Sequence, residues 1–73
     1  MIISCLPATE AQVHQITEQL KRAGLYSRYE ETVRGESILI SVQTGTFEER
    51  EIVKTILRKA GITELFYGTE IAA

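Results

Sequence analysis

The second half of this chain can be laid over its first half at an offset of 37 residues. The identical pairs are Ile3 and Ile40, Ser4 and Ser41, Thr9 and Thr46, Leu20 and Leu57, Ala23 and Ala60, Gly24 and Gly61, and Thr32 and Thr69. Two such units, about 1–36 and 37–73, predict a fold with pseudo-two-fold symmetry. Whether one unit arose by duplication of the other is open, because helix-capping preferences alone produce several of these matches.

Each half carries the signals of one capped helix. Thr9 precedes Gln12 by three residues, and Thr46 precedes Glu49 by three, so both segments match a capping box. An apolar stripe at helical spacing follows each box, and Gly24 and Gly61 predict the two helix ends. The stripes comprise Val13, Ile16, Leu20 and Ala23 in the first helix, and Ile52, Val53, Ile56, Leu57 and Ala60 in the second, where Phe47 is expected to pack against the helix start.

Four strands are predicted, over residues 2–6, 25–33, 37–43 and 63–71, with a turn at 34–36 and fraying of the last two residues. Charged residues around Tyr26 and Tyr29 indicate an edge position for the second strand, whereas the third is apolar on both faces and reads as central. The order β-α-β-β-α-β predicts a single α+β domain over residues 1–73. We expect a ferredoxin-like split β-α-β sandwich, with a four-stranded antiparallel sheet and two helices on one face.

Strand alternation assigns the two faces of this sheet. Ile3, Cys5, Ile38, Ile40 and Val42 are expected to point at the helices. The opposite, open face is expected to carry Ile2, Ser4, Leu6, Leu39 and Ser41, with Tyr67 or Tyr26 extending it. An apolar uncovered face is typical of an interface, although scattered apolar residues on a small domain need no special explanation.

Composition narrows the classes of function. The chain has 73 residues, is 44% hydrophobic and carries a net charge of −2, which fits one small globular domain with a thin core and argues against a nucleic-acid binder. Its single cysteine excludes an intrachain disulfide, and we expect a cytoplasmic location. The N-terminus shows no signal peptide or membrane span, so no membrane partner is expected.

Few residues carry chemical signals. Cys5 is expected to be a buried structural thiol, and the segment after it lacks the second cysteine of a C-x-x-C metal site. His14 reads as a solvated helix residue beside Glu10 and Glu18. RNA-recognition domains share this order of elements, but Glu36 occupies a place where they carry a base-stacking aromatic residue. No catalytic motif is present, so we expect no enzyme activity, no cofactor, no metal and no nucleic-acid partner.

The segments 35–42, 46–49 and 56–62 resemble the ending of domains in the bacterial general-stress-protein family, which close with a glycine-led apolar strand, an acidic-capped helix and a final strand. The resemblance covers residues 35–70 and implies a stress-related or regulatory role, without a catalytic motif to transfer. Regulatory domains of the ACT type are the alternative relative. Their ligand loop follows the first strand and usually contains glycine, whereas this chain has Pro7 there.

Two functions therefore stand as hypotheses. The first is a non-catalytic interaction or regulatory domain that associates, with itself or with another protein, through the open face. The second is a small-ligand-binding domain whose loop comprises Leu6, Pro7, Ala8 and Thr9. A small enzyme and an RNA-binding module are weaker alternatives.

Overall fold

A computed structural model describes residues 1–68; the predicted strand end at 69–71 and the fraying of 72–73 lie outside the described residues. The elements are β1 (Ile2–Cys5), α1 (Glu10–Arg22), a short 3-10 helix (Tyr26–Arg28), β2 (Tyr29–Arg34), β3 (Ser37–Gln43), α2 (Phe47–Lys59) and β4 (Phe66–Gly68). The four strands form one antiparallel sheet in the order β2-β3-β1-β4. The predicted ferredoxin-like α+β arrangement is confirmed, with β2 at an edge and β3 in the centre.

Both helices begin with the same hydrogen bonds, displaced by 37 residues. The Thr9 hydroxyl accepts from the Gln12 amide at 3.2 Å, and the Gln12 side chain accepts from the Ala8 amide at 2.7 Å. In α2 the Thr46 hydroxyl accepts from the Glu49 amide at 3.1 Å, and the Glu49 carboxylate accepts from the Gly45 amide at 2.7 Å. Each box thus satisfies two backbone donors at the helix start, with the Gln12 and Glu49 side chains bonded to the amide of the residue before the cap.

Both helices also end alike, in the Schellman motif. The amide of Leu25 donates to the Leu20 carbonyl at 2.9 Å, and the amide of Ile62 donates to the Leu57 carbonyl at 3.1 Å. Gly24 and Gly61 adopt φ of +75° and +92°, in the left-handed region that favours glycine. Leu25 and Ile62 are buried, so each helix end is closed by an apolar contact rather than by the start of a strand.

This closure explains why two strands begin later than predicted. β2 begins at Tyr29 instead of residue 25, because Leu25 packs into the core and residues 26–28 form the 3-10 helix. β4 begins at Phe66 instead of residue 63, because Ile62 packs into the core after the end of α2, as Leu25 does after the end of α1. The expected packing of Phe47 against the start of α2 is wrong: its side chain is 66% exposed and lies beside Arg50, 5.7 Å from ring centre to guanidinium.

The core fills the layer between the helices and the sheet. Ile3, Cys5, Ile40 and Val42 are fully buried, and Ile38 is half-buried against them, as the alternation predicts. The helices and helix ends contribute Ile16, Leu20, Leu25, Val53, Ile56, Leu57, Ala60 and Ile62. Ala23 and Ile52, which the stripe pattern assigned to this layer, are exposed. Because every fully buried strand residue points toward the helices, the other face of the sheet takes no part in this core.

The pairing of β1 with β3 places the pseudo-two-fold axis. Ser4 lies opposite Ser41, and each of the two is the repeat equivalent of the other. A rotation that exchanges the halves therefore maps this pair onto itself, so the axis passes between the two serines, normal to the sheet. The same rotation exchanges Ile2 with Leu39.

The carboxylate of Glu49 predicts a pH-dependent part of the stability. The amide of Gly45 and the guanidinium of Arg28 both donate to it and hold the pKa of this carboxyl below its usual range. A depressed pKa contributes stability that is present above the unfolded-state pKa of about 4.3 and is lost as the pH falls through the folded-state value. We expect Glu49→Gln to lower the free energy of unfolding at pH 7, and the deficit to shrink below about pH 4.

Urea denaturation across this pH range measures the deficit. Glu48→Gln is the matched control, because Glu48 lies in the same first helical turn but is not a partner of Gly45 or Arg28 in the capping contacts. If Glu49→Gln lowers the free energy of unfolding by the same amount at pH 7 and pH 3, the charge of Glu49 does not contribute to stability.

Candidate functional site

The open face of the sheet is the surface opposite the helices. Residues paired directly across antiparallel strands lie on the same face, so the registers assign it. Its members include Ile2 and Ser4 in β1, Ser37, Leu39, Ser41 and Gln43 in β3, Glu30 and Thr32 in β2, and Phe66 in β4. Leu6 continues this alternation just beyond β1. The four predicted members within the two central strands, Ile2, Ser4, Leu39 and Ser41, therefore share the expected face.

The centre of the open face is a pair of hydroxyl groups. The Oγ atoms of Ser4 and Ser41 lie 3.0 Å apart, a hydrogen bond in which either serine can be the donor. Both residues are half-buried. Because each hydroxyl already has a protein partner, covering this pair costs less free energy than covering two separate hydroxyls.

Apolar side chains flank the serine pair, mainly on its β1 and β4 side. Ile2 and Leu39 are half-buried, whereas Leu6 and Phe66 are 52% and 43% exposed. On the β2 side the neighbour is charged: Glu30 is exposed and pairs directly with Ser41, as Phe66 pairs with Ser4. A bonded hydroxyl pair between an apolar patch and a charged side chain resembles the mixed apolar and polar character of a protein interface.

Tyr67 does not lie on the open face, and the prediction that it does is wrong. Tyr67 pairs with Ile3, which points at the helices, and lines a shallow cavity with Phe47, Arg50 and Lys54 of α2. Its neighbour Phe66 pairs with Ser4 and takes the place on the open face. Sequence alternation alone did not identify Phe66 as a member of the open face.

A one-residue slip in strand register causes this exchange. The repeat equates Phe66 with Tyr29, which pairs with Val42 and packs against the core. In the second half Leu65 packs against the core instead, and Phe66 moves to the other face. A shift of one residue turns every side chain of a strand to the opposite side of the sheet.

Tyr26 also lies away from the open face. Its ring stacks on Tyr29 with centroids 5.6 Å apart, and the Lys21 ammonium lies 5.0 Å from its ring centre. Tyr29 donates a 2.6 Å hydrogen bond to Glu31, and burial together with this bond raises the pKa of the Tyr29 hydroxyl. The stacked rings of Tyr26 and Tyr29 therefore lie at the β2 edge, on the side of the sheet that faces the helices.

The predicted ligand loop borders a groove of about 210 Å³. Leu6 and Ala8 line one side, and residues 61–64, which connect α2 to β4, line the other together with Phe66. Pro7 and Thr9 are not among its lining residues, and the Thr9 hydroxyl is occupied by the helix cap. The groove is smaller than the roughly 300 Å³ at which typical ligand pockets begin.

The remaining chemical signals lie apart from one another. Cys5 is fully buried, and burial raises the pKa of its thiol to about 11. His14 is exposed on α1. Among residues 1–68, no three His, Cys, Asp or Glu side chains come close enough to hold a metal ion. Over the same residues, no helix has the length and apolar character needed to cross a membrane.

Comparison of the chain with family models, with curated proteins and with solved structures finds no match. The resemblances to the general-stress-protein family and to ACT-type domains therefore stay predictions. The open face and the groove beside it are therefore the features from which a function can be inferred.

Cys5 gives a direct test of the helix-side core. Its raised pKa lowers the thiolate fraction at pH 8 about a hundredfold relative to a thiol at the usual 9.0, and burial blocks access as well. We expect alkylation by iodoacetamide at pH 8 to be at least a hundredfold slower in the folded protein than in urea. Equal rates in the two conditions would contradict the placement of Cys5.

Proposed function

We propose that this protein is a non-catalytic interaction domain that binds a protein through its open face. The observation that carries the proposal is the Ser4–Ser41 hydroxyl pair, bonded to itself and flanked by four apolar side chains on a surface that no described element covers. In a surface meant only for water, these four side chains have no need to be apolar. In an interface, the same residues supply the buried centre.

The dimensions of the domain fit such a role. The chain exposes 5025 Å² of surface, so the roughly 800 Å² that each partner of a standard interface buries is about a sixth of it. Each apolar Å² removed from water contributes about 25 cal/mol. A partner that covers Ile2, Leu6, Leu39 and Phe66 therefore gains several kcal/mol before the costs of association.

The cellular role that we propose is regulatory and cytoplasmic. The resemblance of residues 35–70 to stress-protein domains supports a stress-related setting, and the single cysteine is compatible with a reducing compartment. Binding through a preformed sheet needs no ordering of flexible segments, which lowers the entropic cost of association.

Photo-crosslinking tests the proposal residue by residue. A benzophenone amino acid placed at Leu39 or at Phe66 is expected to form a covalent product with a protein partner in cells. The matched controls are Val33, which is 65% exposed on the helix side of β2, and Tyr67, which is 52% exposed next to Phe66. These two positions are expected to give little product, because they point away from the open face.

The comparison between adjacent residues 66 and 67 is the sharpest part of this experiment. Strong products at Phe66 and Leu39, with weak products at Tyr67 and Val33, support binding through the open face. Products of equal intensity at all four positions, or at none, contradict it.

Small-ligand regulation is the second candidate, supported by the groove beside the predicted ligand loop. Its lining includes the polar residues Gln12, Thr63 and Glu64 beside the apolar Leu6 and Phe66. Its small volume limits the ligand class to molecules of about the size of an amino acid.

A thermal-shift screen of amino acids and other molecules of that size tests this candidate. A ligand at one hundred times its dissociation constant stabilises the folded state by about 2.7 kcal/mol. Such a ligand is expected to lose its effect in Ala8→Trp, which fills the groove, and to keep it in Ala11→Trp, a control at an exposed position of α1 that does not line it. No stabilisation by any compound would remove the candidate.

A further inference from the structure

We infer that the protein partner of the open face inserts an arginine side chain into the groove beside that face. This inference rests on the proposed function and names the chemistry of its partner. The groove has a volume of about 210 Å³. An apolar cavity of about 150 Å³ is large enough to hold benzene, so the groove has room for one long side chain of a partner.

The groove is continuous with the open face. Leu6 and Phe66 line the groove, and both also belong to the open face, Leu6 just beyond β1 and Phe66 within β4. A partner that packs on these two side chains therefore also borders the groove. Binding energy in protein interfaces concentrates where a large side chain of one protein fills a pocket of the other. The groove is the pocket that this surface offers for such a side chain.

The groove contains one charged group, the carboxylate of Glu64, whose side chain is exposed. Glu64 takes part in none of the ion pairs between the side chains that the structure describes. The nearby amides of Ala8 and Gln12 donate within the capping box of α1 and not to Glu64. An apolar side chain over this carboxylate would remove its water without replacing the lost hydrogen bonds, which is costly. The partner therefore needs a cation at this place.

Arginine suits this groove better than lysine does. Its methylene groups can pack on apolar walls such as Leu6 and Ile62, while its charged end stays at the polar rim. The guanidinium group is planar, so it can bond both oxygens of the Glu64 carboxylate or stack on the ring of Phe66. The ammonium group of lysine is a point charge without this planar geometry. The net charge of −2 also attracts a basic partner at longer range.

A library of random peptides displayed on phage tests the inference. Peptides are selected on the immobilised wild-type chain, and their dissociation constants are measured by fluorescence anisotropy. We expect the selected peptides to share an arginine flanked by apolar residues. Glu64→Gln is expected to weaken their binding roughly ten- to a hundredfold, because the guanidinium loses its charged partner. The matched control is Glu48→Gln at the start of α2, outside the groove, which is expected to leave binding unchanged.

A double-mutant cycle distinguishes a direct contact from a structural effect. Replacement of the arginine of a selected peptide by glutamine is expected to cost much less binding in Glu64→Gln than in wild type, because both changes remove the same interaction. Ala8→Trp, which fills the groove, is expected to weaken binding as well. Ala11→Trp, at an exposed position of α1 outside the groove, is not. Circular dichroism confirms that each variant is folded.

The outcomes separate this inference from the proposed function. Peptides that are weakened by Leu39→Glu, but carry no arginine and bind Glu64→Gln equally well, overturn the arginine anchor and leave the open face as the interface. Arginine peptides that need Glu64 but not Leu39 support the groove as an arginine site and contradict its connection to the open face. Additive effects in the cycle, or a library without any binding peptide, overturn the inference, while crosslinking from residue 39 still decides the proposed function.

Discussion

The pairing of β1 with β3 is the interaction on which the rest of this structure depends. It joins the two halves of the chain at the centre of the sheet and sets Ser4 opposite Ser41. That single register decides which residues face the helices: Ile3 and Val42 are buried as a pair, and Cys5 and Ile40 are buried as the next helix-facing pair. The residues between them lie on the open face. The β1–β3 register therefore determines both which residues form the core and which form the candidate interface.

Local signals predict the two halves well because they act within a few residues. The capping boxes at Thr9 and Thr46 and the glycine stops at Gly24 and Gly61 give helices of 13 residues each, displaced by 37 residues in the chain. Strand alternation places the members of β1 and β3 on the correct faces, because both strands are central and their partners on either side hold them. These parts of the fold and of the candidate site could be predicted from the sequence.

The outer strands could not be predicted in the same way. The register of β4 depends on how the chain returns from the end of α2, where Ile62 and Leu65 both pack against the core. The repeat equates Tyr29 with Phe66, yet Tyr29 fills the core and Phe66 does not. Within the described residues, β4 is an edge strand that pairs on one side only, so the packing of Ile62 and Leu65 in the loop before it decides which face Phe66 takes. The register of β4 therefore places Phe66, and not the predicted Tyr67, in the candidate site.

The central claim is that the open face binds a protein partner. Its most direct test is the accessibility of methyl groups to a soluble paramagnetic reagent, measured by nuclear magnetic resonance on isotope-labelled protein in buffer and in unlabelled cell extract. We expect the Ile2 and Leu39 methyls to become shielded in the extract, while those of Val33 and Ile52, exposed away from this face, stay accessible. Unchanged accessibility of Ile2 and Leu39 in the extract would contradict this claim.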